Sequence, residues 1–197
     1  MHALLAVLLA QDLPATRLDW AWLADTTWIV PPADLPAMQL DPRDDSTRWI
    51  VDQTVWQLQG YRTGYLWGRG VVLVRAPDPA QPGPAEPDTT LCLSILGTVT
   101  PDGAVHFTFL PTRARRASQA TTGIGRISPP GPSGGEEFTS QAMFEMQMST
   151  GSQTRTAHWA HMVQVAPGDP AWTTLPGFRL GVEEALEGCK EVRGPAL

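Results

Sequence analysis

The sequence predicts a mostly β protein: a single antiparallel up-and-down barrel of about eight strands, with an N-terminal helical segment and a C-terminal helix. Three observations predict it. Short runs rich in Val, Ile, Thr, Phe and Trp recur between residues 27 and 165, separated by Gly, Pro and Asp turn signals. No helical pattern separates one run from the next, which excludes βαβ units and a parallel sheet. Sequential antiparallel strands leave two exposed edges unless the sheet closes on itself, and closure removes both. A two-sheet sandwich is the alternative arrangement of the same strands.

Residues 1–26 form the predicted N-terminal segment. The run ALLAVLLA, residues 3–10, is too short to span a membrane as a helix. It has the length of a signal-peptide core within residues 1–15, but His2 stands where Lys or Arg is usual and no A-x-A site follows. A short helix ending before Pro14 fits it equally well. Leu18, Trp22 and Leu23 then fall near helical spacing, with Trp20 beside them, so one face can dock on the barrel.

The barrel domain is predicted over residues 27–166. Its first strand, residues 27–30, is stopped by Pro31 and Pro32. Residues 31–47 are rich in Pro and Asp and read as a long irregular connection, with Leu35, Met38 and Leu40 tucked beneath it as a plug or lid. Residues 48–74 (RWIVDQTVWQLQGYRTGYLWGRGVVLV) read as two strands around a turn at Gly60 to Gly64. Gly64, Gly68 and Gly70 sit among Tyr65, Trp67, Val71 and Leu73, small residues beside large ones, as a sharply curved sheet requires. Trp49 and Trp56 fall on opposite faces of a regular strand; Trp56 is the expected interior one. Five prolines between Ala76 and Thr89 make an extended loop. Thr100-Pro101-Asp102-Gly103 is a strong turn signal joining strands at residues 91–99 and 105–109. Further strands are expected at residues 122–128, 138–149 and 155–165. Residues 167–197 form a tail with one helix over 182–191.

Composition narrows the partners. The net charge of −6 disfavours a nucleic-acid partner. The one basic run, Arg113, Arg115 and Arg116, lies between apparent strands and reads as a solvated loop or a local anion contact. Lys190 is the only lysine, which leaves no interior lysine nucleophile, and the absence of asparagine leaves no Asn-x-Ser/Thr site. Cys92 and Cys189 are too far apart for a CxxC motif. A disulfide fits an exported protein; two separate thiols is the reading favoured, with the compartment, cytoplasmic or exported, left open. No other apolar run is long enough to cross a bilayer.

No catalytic motif stands out. There is no G-x-S-x-G elbow and no P-loop, and Gly123-Ile124-Gly125-Arg126 lacks the third glycine of a dinucleotide site, so no cofactor is expected. His158 and His161 form an HxxH, but an odd offset on a strand puts them on opposite faces, so no metal site is expected. His161 shares a face with Trp159 and Val163, as a hydrogen-bonded core histidine or a pocket base. Glu145 faces either solvent or the interior; inside, it is a carboxylate suited to acid–base work. Asp52, flanked by apolar residues, is either a satisfied strand polar group or a pocket acid. Glu145, His161 and Asp52 are therefore the catalytic candidates. Eight Trp is a high count, and Trp49, Trp56, Tyr65, Trp67 and Trp159 pack a core or line a cavity for a flat apolar ligand. The ligand-binding candidates are Trp56, Gln53, Tyr65, Trp67, Arg126, Met146 and Trp159, with Met143 and Met148 adding a deformable wall.

The pattern resembles the calycin superfamily of lipocalins, avidins and their relatives. The features are the opening strand Thr27-Trp28-Ile29-Val30, a long first connection, sequential hairpins and a C-terminal helix. Residues 144–165 are similar to the last hairpin of an avidin. Thr26 stands where the lipocalin Gly-x-Trp opening has glycine, and no family's ligand residues carry over by position. The resemblance implies a cavity for a small ligand and leaves its identity open, since related barrels include enzymes. The leading expectation is thus a small-molecule-binding barrel. A cofactor-independent barrel enzyme (lyase, isomerase or cyclase) is the second. A solid-core interaction module, with exposed Trp forming a homo-oligomer contact, is the third.

Overall fold

The computed structural model describes residues 19–41, 44–80, 83–112, 120–132, 139–150 and 155–190. Among them, the strands are β1 (Thr26–Ile29), β2 (Pro36–Asp41), β3 (Ser46–Arg62), β4 (Tyr65–Arg75), β5 (Thr89–Val99), β6 (Ala104–Pro111), β7 (Thr121–Ser128), the short β8 (Gly131–Pro132) and β9 (Thr139–Ser140), β10 (Met143–Thr150) and β11 (Arg155–Val165). Two short helices follow, α1 (Pro170–Thr173) and α2 (Val182–Glu187).

From β3 round to β11 each main strand pairs antiparallel with the next, and β1 and β2 together supply the missing stave. β1 joins β11 to β3 at one end of the barrel, and β2 joins the same two strands at the other. The result is a closed antiparallel barrel of eight staves, the first of them broken. The cause of the break is local. Pro31 and Pro32 have no N–H to give the ladder, and the chain turns through a 3₁₀ segment at Pro32–Asp34. Gln53 of β3 repairs the gap: its side-chain oxygen accepts from Val30 N at 2.9 Å and its amide donates to Val30 O at 2.9 Å.

Residues 31–47 therefore differ from their reading as an irregular connection. Six of them form β2, held by backbone bonds from both sides, so a weakly apolar sequence still makes a strand. The described residues of this stretch form no plug: Leu35 is buried, but Met38 is exposed on the outer face. The strand expected over 138–149 begins at Met143, while Thr139–Ser140 pairs separately with Gly131–Pro132. Residues 1–18, the signal-peptide or helix segment, lie outside the described residues, as do Arg113, Arg115 and Arg116. The described part of the N-terminal segment makes one 3₁₀ turn, Ala21–Leu23, not an α-helix.

Strand alternation divides the chain into two cores. Inside, Trp56 lies with ring centroids 5.4, 5.2 and 5.7 Å from Phe107, Phe109 and Phe144, and Trp28 meets Phe144 edge-on. Inward glycines make room for these rings: a Cβ on Gly97 would fall 2.3 Å from the Phe107 ring. Outside, Leu175, Phe178, Val182 and Leu186 of the tail cover Ile29, Val55, Val71 and Leu73. The tail is pinned by a disulfide from Cys189 to Cys92 of β5, with Cα atoms 5.4 Å apart. This corrects the reading of two separate thiols; the distance in sequence hid a proximity created by the tail's path.

Candidate functional site

The two ends of the barrel differ. One is stoppered by the 3₁₀ turn, where Leu23 is buried and the Trp20 indole donates to Thr100 O at 2.9 Å. The other, where β2 meets β3 and β6 leads to β7, is open among the described residues. From it a cavity of about 720 Å³ runs inward. Trp56, Leu93, Phe109 and Met148 line its deeper part, and Arg48, Asp88, Thr112 and Thr121 stand at its rim.

One wall carries the chemistry. β3 turns Ile50, Asp52, Thr54 and Trp56 inward, and β11 turns His158 towards them. Asp52 and His158 are both buried, with His158 Nδ1 at 3.7 Å from Asp52 Oδ2. Thr54 donates to the other Asp52 oxygen at 3.3 Å. His158 Nε2 lies 2.7 Å from the backbone carbonyl of Asp34. A carbonyl only accepts, so Nε2 carries a proton and Nδ1 is the nitrogen turned to Asp52. Burial pushes the Asp52 carboxyl above the usual carboxylate range, outweighing the opposing pull of His158 and the Thr54 hydrogen bond. His158 Nδ1 and Trp56 Nε1 are buried nitrogens with no hydrogen-bond partner among the described residues.

The candidates taken from the sequence are scattered around this wall. Asp52 and Trp56 line the cavity, and Met146 is buried on the inner face. Gln53 is fully buried on the opposite face of β3, bonded across the broken stave and, at 3.4 Å, to Pro176 O. Tyr65 and Trp159 are exposed on the outside, and the half-buried Trp67 lies over Gly60. Arg126 is exposed and donates to Asp102 O at 2.9 Å, with the Asp102 carboxylate at 3.8 Å. Glu145 and His161 sit together on the outer face: His161 Nε2 is 3.6 Å from Glu145, and His161 Nδ1 is 2.9 Å from the Asp34 carboxylate. Asp34 thus holds both histidines of the HxxH, one on each side of the wall.

His158 and Thr54 were missed as site residues. The face of β11 that reads as the more apolar one, with Trp159 and His161, is the outer face. The signal for His158 was present in the odd HxxH offset, which sends one histidine inward whenever the other points out. Among the described residues no group of three or more His, Cys, Asp or Glu could hold a metal ion, and no helix is long and apolar enough to cross a membrane. What fold and site define is a closed eight-stave barrel with an open, partly polar cavity at one end. Compared with known proteins, the chain matches no family model, no curated protein and no solved structure.

Proposed function

We propose that this chain is a calycin-like barrel that binds one small, mainly apolar molecule in its open end. The observation that carries the reading is the cavity itself, whose volume falls in the range of about 300–1,000 Å³ usual for small-molecule sites. Its mixture of a ring-lined depth and one polar wall suits an apolar body with a polar group. Burying ~200 Å² of apolar ligand surface supplies about 5 kcal/mol at ~25 cal/mol per Å², of which ordering the ligand consumes part. An interior left open to this extent argues against the solid-core module.

The test is a titration with the neutral fluorophore N-phenyl-1-naphthylamine. Wild type is expected to enhance its emission and saturate at one equivalent. Val72→Trp, which places an indole in the cavity, is expected to lose the enhancement while keeping its circular dichroism spectrum. No enhancement with wild type would sink the reading.

One observation favours a second reading, a cofactor-independent enzyme: Asp52 is a buried carboxyl held beside an oriented imidazole in the cavity. In D2O, a bound cyclic ketone would then exchange its α-protons, and Asp52→Asn would stop it. Exchange at the same rate in the variant would exclude Asp52 as the base.

A further inference from the structure

The Asp52 carboxylate is short of donors. An ionised carboxylate offers roughly four acceptor sites. Among the described residues its side chain receives one hydrogen bond, from Thr54 at 3.3 Å. His158 contributes little as a donor. Its Nε2 proton is committed to the Asp34 carbonyl, and its Nδ1 stands 3.7 Å from Asp52 Oδ2, beyond hydrogen-bond distance. Its Nδ1 is left without a hydrogen bond.

No lysine or arginine among the described residues forms a salt bridge with Asp52. Arg48, on the same face of β3 nearer the rim, donates to Gln39 at 2.7 Å instead. Arg75, the buried arginine of β4, belongs to the outer face, where it donates to Gly177 O and Gly83 O. The cavity therefore presents a desolvated acceptor with room beside it, and no lysine or arginine among the described residues is paired with it.

Resting on the ligand-binding reading above, we infer that the polar head of the ligand is a protonated amine seated on Asp52, with its apolar body against Trp56 and Phe109. An alkylammonium brings three donors and one positive charge to a group that lacks both. A neutral alcohol would bring one donor and no charge. A carboxylate would set two acceptors against each other, a like-charge contact.

The test is calorimetry on the full chain with three probes of equal chain length: octylamine, octanol and octanoate. Wild type is expected to bind octylamine at least ~10-fold more tightly than octanol, as a charge-assisted contact implies, and octanoate most weakly. Asp52→Asn is expected to reduce octylamine to the affinity that the same variant shows for octanol. Equal affinity for amine and alcohol in wild type, tightest binding of octanoate, or an amine preference that survives Asp52→Asn would overturn the inference and leave the ligand-binding reading intact. Failure of all three probes to bind would overturn both. The wild-type comparison decides the matter alone if the variant does not fold.

Discussion

Asp52 stands where a carboxylate is costly, buried in a barrel wall with one weak donor among the described residues. Because burial raises its pKa, the folded chain holds the proton more tightly than the unfolded chain does. Stability from this group is therefore present below the ordinary carboxylate range. It is lost as pH rises from there through the raised value, and it stays lost above. Asp52→Asn carries no such penalty. In urea denaturation the variant should be more stable than ligand-free wild type at neutral pH, with the gap closing as pH falls towards 4. A wild type that is the more stable of the two at neutral pH contradicts this. A second residue-scale prediction concerns two glycines. A Cβ on Gly68 would lie 2.2 Å from the Gln57 carbonyl oxygen, fixed backbone in a paired strand; one on Gly60 would lie 2.1 Å from the half-buried Trp67 ring, which can swing away. Gly68→Ala should thus cost at least ~1–3 kcal/mol, as overpacking does, and more than Gly60→Ala in the same denaturation assay. The value of Gly68 as curvature was legible in the sequence, whereas Gly60, read there as part of the turn, lies within β3 and pairs with Trp67. What each one abuts was not legible, because the neighbour comes from another strand.

Among the elements, legibility followed locality. The hairpin around Thr100 to Gly103 was readable because four consecutive residues specify its turn. β2 was not, because its stability comes from backbone pairing with β3 and β11 on its two sides, one of them over a hundred residues away. The break before it was visible as Pro31 and Pro32, but Gln53's role in bridging that break depends on a register no sequence pattern carries. The Cys92–Cys189 bond was hidden for the same reason. It closes a long loop and holds α2 against the outer wall, so the double variant Cys92→Ser/Cys189→Ser should lose about 2–4 kcal/mol of stability. Denaturant melts with and without reductant measure this, and an unchanged midpoint on reduction would show that the tail is held by apolar packing alone.

For the molecule as a whole, closure was foreseeable from strands in series with no helices to cover their edges. The inside and outside of the wall were not. A barrel normally separates apolar inner from polar outer positions, but here the tail covers Val55, Val71 and Leu73 on the outside while Asp52 and His158 stand on the inside. Both faces of β3 are consequently bulky, and only the closed ring tells them apart. The central claim, that the open end holds a ligand against the Trp56 depth and the Asp52 wall, is testable with methyl-labelled methionine in solution. Met148 lines the cavity, Met146 and Met162 are buried in the interior core, and Met38 and Met143 face outward. On titration with octylamine or N-phenyl-1-naphthylamine, the methyl resonance of Met148 is predicted to shift in proportion to bound ligand while those of Met38 and Met143 stay in place. Shifts at Met38 or Met143 with Met148 unmoved would place the ligand on the outer wall and contradict the account.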